Sequence, residues 1–224
     1  MGYQKVQLQP GFNFVAPQFV AVGGDSIDLQ SVRLDVADDE ATGGDNIQIL
    51  DDGGATLATY YWNPADWFGG EKSGWVDDET GDLAAVTLQN GLGILIDSAD
   101  ETTVTVSGEV SETDAVIESV AGFNFLGNSS PKAINIQDIQ IAVADDEATG
   151  GDNIQILDDG GATLATYYWN PADWFGGEKS GWVDDETGDL ADVELAPGQG
   201  ILLDASDAGI LITVPSAIAP DAAE

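Results

Sequence analysis

The stretch Ile27-Asp28-Leu29-Gln30-Ser31-Val32-Arg33-Leu34-Asp35-Val36 alternates apolar and polar residues, loses step at Gln30-Ser31, and alternates again on the opposite parity. Residues 134–143 (INIQDIQIAV) differ in composition but keep the same alternation and the same break, at Gln137-Asp138. Period two marks a strand with one buried face, and a change of parity requires a bulge or short turn. Ile47/Ile49, Val86/Leu88 and Val104/Val106 continue the pattern, and no segment sustains a 3.6-residue apolar period. Asp52-Gly53, Gly69-Gly70 and Asn90-Gly91 add hairpin-type punctuation. The expected class is all-β.

Outward from these stretches lies a duplication. Residues Val36 to Ala84 recur without change at Val143 to Ala191, 49 residues at an offset of 107. The flanks are related but diverged: Gly11-Phe12-Asn13-Phe14 matches Gly122-Phe123-Asn124-Phe125, and Gly93-Ile94-Leu95-Ile96-Asp97 matches Gly200-Ile201-Leu202-Leu203-Asp204. This predicts two tandem modules, 1–110 and 111–224, each a β-sandwich or compact barrel of eight or nine short strands. The junction Ser111–Asp114 is short and polar, which implies a fairly fixed relation between the modules.

Composition removes whole classes of function. With 41 acidic and 5 basic residues the 224-residue chain carries a formal charge of −36, which opposes binding to nucleic acid or anionic lipid. His and Cys are absent, so catalytic triads, thiol chemistry, disulfides and the usual zinc, haem and iron–sulfur ligation are excluded. No apolar run is long enough to insert into a membrane as a helix, and Met1–Lys5 shows no apolar signal core. The 43% of hydrophobic residues separate the chain from a disordered acidic tail.

The flanks resemble tandem β-modules of large exported bacterial surface proteins. The resemblance rests on Gly11-Phe12-Asn13-Phe14 (Gly-aromatic-Asn-hydrophobic), on the turn Leu195-Ala196-Pro197-Gly198-Gln199-Gly200, and on the Thr-rich strand Thr103–Val106 closed by Ser107-Gly108. Copy two departs from this ending, with Thr213-Val214-Pro215. The resemblance implies an extracellular or cell-surface, non-enzymatic role and transfers no catalytic residue.

Two sets of side chains are candidates for a site. The acidic set is Asp38, Asp39, Glu40 and Asp45 with Asp77, Asp78, Glu79 and Asp82, repeated as Asp145, Asp146, Glu147 and Asp152 with Asp184, Asp185, Glu186 and Asp189. Carboxylates among glycines suit a hard cation such as Ca²⁺, which takes six to eight oxygens. The alternative is a solvated acidic surface of the salt-adapted kind. The aromatic set holds every Trp of the chain: Trp62, Trp67 and Trp75, and Trp169, Trp174 and Trp182. Beside Asn63 and Asp66 such residues could hold the ring of a polysaccharide. The alternatives are that they form the module core, as buried Trp commonly does in β-sandwiches, or a contact between modules or subunits.

No pattern here is that of an enzyme or an organic-cofactor site: Gly91-Leu92-Gly93 precedes no helix, and the paired acids lie in surface-type runs. The expected function is an extracellular structural or adhesive repeat protein that self-assembles with copies of itself into a filament or surface layer, stabilised by calcium or high salt. A head-to-tail contact between modules would propagate such a filament, and Lys5–Gln9 is a segment suited to strand addition. Tandem carbohydrate-binding modules are the alternative.

Overall fold

The computed structural model describes residues 2–35, 44–50, 56–63, 73–142, 151–157, 163–171 and 180–216. The first repeat contributes β1 (Gly2–Leu8), β2 (Gly11–Val15), β3 (Ser26–Asp28), β4 (Arg33–Leu34), β5 (Asn46–Leu50), β6 (Thr56–Asn63), β7 (Gly74–Asp77), β8 (Thr87–Gln89), β9 (Ile94–Ser98) and β10 (Thr102–Gly108). The second contributes β11 (Ala115–Glu118), β12 (Gly122–Gly127), β13 (Ile134–Asn135), β14 (Gln140–Ile141), β15 (Asn153–Leu157), β16 (Thr163–Asn170), β17 (Gly181–Asp184), β18 (Glu194–Leu195), β19 (Gly200–Ala205) and β20 (Leu211–Val214). The protein is all-β and sandwich-like, and its only described helices are single 3-10 turns.

Among the described residues each repeat builds the same three antiparallel sheets. In the first they run β2-β9-β5-β6-β7, β1-β10-β4 and β3-β8; in the second, β12-β19-β15-β16-β17, β11-β20-β14 and β13-β18. Burial follows the alternation of the sequence: in β9 Ile94, Ile96 and Ser98 point inward, and in β10 Thr102, Val104 and Val106 do. One core lies between the five-stranded and three-stranded sheets of the first repeat, joining Ile47, Trp75, Ile94 and Ile96 to Leu8, Val104 and Val106. Its counterpart in the second repeat joins Ile154, Trp182, Ile201 and Leu203 to Ile117, Ile212 and Val214.

The parity switch resolves as a turn. Leu29–Ser31 and Ile136–Asp138 are one-turn 3-10 helices, each capped by the preceding side chain: Asp28 accepts from the Gln30 N–H, and Asn135 from the Gln137 N–H. Leu29 and Ile136 are thereby driven into the core. The Asn of the Gly-aromatic-Asn motif also has a structural task. Asn13 exchanges hydrogen bonds with the Gln9 backbone and donates to the Gly11 carbonyl; Asn124 does the same at Val120 and Gly122.

Two sequence expectations need correction, the first being the strand count: each repeat has ten strands among the described residues where eight or nine were expected. Asn90-Gly91 does not close a hairpin, because β8 pairs with β3 while β9 pairs with β2 and β5; the turn carries the chain from one sheet to another. Among the described residues β1 pairs only with β10, residues 5–8 against Thr102–Thr105, so it forms the edge of its sheet, the position that strand addition at Lys5–Gln9 calls for. Asp52-Gly53 and Gly69-Gly70 lie outside the described residues.

Candidate functional site

The acidic candidates divide by position. Asp38, Asp39, Glu40, Asp145, Asp146 and Glu147 lie outside the described residues. Asp45 is 3% exposed; its Oδ1 accepts from the Ala99 N–H at 2.8 Å and the Ser98 hydroxyl at 3.2 Å. Asp152, fully buried, does the same for the Ser206 N–H at 2.7 Å and its hydroxyl at 2.9 Å. These carboxylates tie the chain entering β5 and β15 to the turns leaving β9 and β19. They bond main-chain donors that burial would otherwise leave unpaired.

Asp77 and Asp184 organise the turns after β7 and β17. The Asp77 Oδ1 accepts from the Thr80 N–H at 2.8 Å, the Thr80 hydroxyl at 3.0 Å and the Glu79 N–H at 3.1 Å. Asp184 accepts from the Thr187 N–H at 2.8 Å and the Glu186 N–H at 3.0 Å. Donation from Thr80, and from Thr187 in the second turn, holds both carboxyls below the usual carboxylate range. Asp78, Glu79 and Asp82 line the exposed outside of the first turn, and Asp185, Glu186 and Asp189 that of the second. Among the described residues no three Asp or Glu side chains form a group that could hold a metal ion.

The tryptophans are not equivalent. Trp75 and Trp182 are fully buried, and their Nε1–H groups donate to the carbonyls of Val32 at 2.8 Å and Ile139 at 3.0 Å. The expectation that they contact a sugar or another subunit is therefore corrected, since core residues have no surface to offer. Trp62 and Trp169 are half-buried and meet them edge to face at 5.2 Å. The Arg33 guanidinium stands 5.6 Å from the Trp62 ring centre, whereas the second repeat has Gln140 at the equivalent sequence position. Trp67 and Trp174 lie outside the described residues.

What holds Trp75 in place escaped the sequence reading. The Gln30 amide donates to the carbonyls of Trp75 at 2.7 Å and Ala84 at 3.1 Å, and its oxygen accepts from the Trp75 N–H at 3.0 Å. The side chain thus substitutes for a missing strand. It comes so close to Gly74, whose φ is +130°, that a Cβ there would collide with the amide oxygen. Gln137 serves Trp182, Ala191 and Gly181 in the same way. The available signal was a Gln standing at the parity switch of both flanks while its neighbours differ.

The most elaborate construction lies between the repeats, where the edge strands β2 and β12 meet the turns 90–93 and 197–200. Val15 pairs with Gln199, and Leu126 with Leu92. The Ala16 N–H donates to the Gly198 carbonyl at 2.9 Å, and the Gly127 N–H to the Gly91 carbonyl at 3.1 Å. Each contact is the other with the repeats exchanged, so the arrangement has an approximate two-fold axis. Phe14 and Phe125, equivalent residues, cross edge to face at 4.4 Å. The backbones come close enough to exclude side chains: a Cβ on Gly93 would lie 2.7 Å from the Leu126 carbonyl, and one on Gly127 would lie 2.5 Å from the Ala16 Cβ. Gln18 adds a bond to the Ser130 carbonyl at 2.9 Å, and Gln89 one to Val116 at 3.0 Å. Two hollows of about 210 and 250 Å³ flank the contact, one against Leu92 and Phe123, the other against Phe12 and Gln199.

Equivalent face thus meets equivalent face, and the two repeats of one chain do not stand head to tail. In sequence Gly91, Gly93, Gly198 and Gly200 are turn glycines, and a glycine's local pattern says nothing of what packs against it. Compared with known proteins, the chain matches no family model, no curated protein and no solved structure.

Proposed function

We propose that this chain is a non-enzymatic structural or adhesive repeat protein of the cell exterior, which assembles with copies of itself and depends on calcium or high salt. The observation that carries the reading is the two-fold contact between repeats. There, side-chain-free backbone, a Phe pair and reciprocal main-chain bonds are invested in joining one β-unit to another. Much of the chemistry available to the described residues supports the fold itself: Asp45 and Asp152 brace loops, Asp77 and Asp184 organise turns, and Trp75 and Trp182 fill cores. The burial of those two tryptophans subtracts from the tandem carbohydrate-binding alternative.

Cation dependence follows from charge. At −36 the compact and assembled states repel themselves, and repulsion falls with counterion binding or screening. The test is electron microscopy together with thermal melting, in millimolar Ca²⁺ and in chelator at equal ionic strength, then across a salt series. Filaments or layers that lengthen with Ca²⁺, with a higher melting temperature, support the full reading. An identical melt in Ca²⁺ and chelator leaves screening alone. A monomer under every condition overturns assembly.

A further inference from the structure

The contact between repeats is satisfied within one chain, yet its geometry does not depend on the two repeats sharing a chain. Val15, Ala16 and Phe14 of a first repeat would meet Gln199, Gly198 and Phe125 of any second repeat through the same bonds. Only the junction decides between partners. It spans Val110 to Asp114, between β10 and β11, with Glu112, Thr113 and Asp114 exposed. Three short bonds fold it: Ser111 Oγ to the Thr113 carbonyl at 2.9 Å, Ser216 Oγ to the Ser111 carbonyl at 2.8 Å, and the Ser216 N–H to Asp114 Oδ1 at 2.8 Å. Beside it lies an open hollow of about 650 Å³, lined by Gly2, Tyr3, Val20, Glu109 and Thr113 among others, which leaves room for it to straighten.

We propose that the chain exchanges repeats with a second copy of itself: the first repeat of one molecule docks on the second repeat of the other through this glycine-lined face. Two molecules that exchange reciprocally form a closed dimer, and molecules that exchange in sequence form a linked row. Such exchange forms no contact that the single chain lacks; it trades a folded junction for an extended one, and short hinge segments favour the trade. The inference rests on the assembly reading and supplies its route.

Because the chain has no Cys, single thiols report on it cleanly. One full-length chain carries Val15→Cys and an isotope label; the other carries Gln199→Cys. These positions are bridge partners across the face, within the reach of a disulfide. The two are mixed, refolded together and oxidised, and the mixed product is identified by mass. Exchange predicts at least tenfold more mixed disulfide at ~1 mM than at ~10 μM, because a linked partner competes at an effective concentration in the millimolar range. It also predicts loss of that product when Gly127→Val is added to the Gln199→Cys chain. A control pair on exposed residues away from the face, Val22→Cys and Leu164→Cys, measures random collision. Mixed disulfide no more abundant than in this control overturns the proposal, whether or not the Gly127→Val chain folds. Filaments that form without mixed disulfide overturn the exchange and leave assembly standing. Mixed disulfide without larger assemblies upholds the exchange and removes the filament or layer.

Discussion

The two repeats share an unbroken block of 49 residues and differ in how their flanks complete it. The first repeat places Pro17 after Ala16, then a longer segment that returns to its own sheet, where Val20 and Glu109 exchange main-chain bonds at 2.9 Å. The second places Asn128 at the equivalent position. Fully buried, it donates to the carbonyls of Lys132 at 2.8 Å, Leu195 at 2.9 Å and Ala196 at 3.2 Å, and accepts from the Ser130 N–H at 2.9 Å. One repeat closes its shoulder with backbone pairing and the other with a single amide. The lesson is that the shared block demands little of its flanks: alternating apolar residues, a Gln at the switch, and satisfied carbonyls. Freedom in how those carbonyls are met is where the repeats diverge.

The comparison can be broken most forcefully in the cores. Trp75→Ala and Trp182→Ala should each cost about 3–5 kcal/mol, the range for truncating a large buried aromatic. Their surroundings are so alike that the two losses should agree within about 1 kcal/mol in denaturant titrations. A larger gap would mean that the diverged flanks set the strength of the core. Asn128→Ala should cost about 2–3 kcal/mol, since it removes a fully buried amide and leaves the carbonyl of buried Leu195 without it. Pro17→Ala, where no side-chain bond exists, should stay within about 1 kcal/mol. Equal effects would erase the contrast between the two shoulders.

Gln30→Ala and Gln137→Ala should each cost about 1–2 kcal/mol, because these half-buried amides are reached by water once removed. A cost in one repeat alone would show that the staple is not equally used. Arg33→Gln converts the first repeat to the local sequence of the second and should lose about 0.5–1 kcal/mol of cation–π contact; Gln140→Arg should recover a similar amount. The smallest effect is in titration. The turn carboxyls of Asp77 and Asp184 are held below the usual range, so the stability they carry is present above that range and lost as pH falls through their lowered values. Followed by NMR, the two should titrate together and below the usual carboxylate range. A separation between them would show the flanks reaching into the shared block.

How much of this was legible follows from the range of each signal. Alternation in Ile27–Val36 and Ile134–Val143 reports on the local backbone, and it located strands, the parity break and the all-β class. Asp45 stands beside glycines in the sequence and so suggested a cation loop, but its partners are Ser98 and Ala99, more than fifty positions away. The three tryptophans of each block look alike on paper. Trp75 is distinguished by its place on the inner face of β7 and by Gln30, 45 positions earlier. The face between the repeats was hidden most completely, because it is written in glycines, whose contribution is the side chain they lack.

That face has an arithmetic of its own. A two-fold contact uses up both participants, so a row of such repeats is satisfied only when its members are counted in twos. In an array carrying an odd number, one repeat must present the Gly91 or Gly198 carbonyl and the Phe14 or Phe125 ring to solvent. An array's parity, more than its length, then decides whether it ends sealed or with one adhesive face left over.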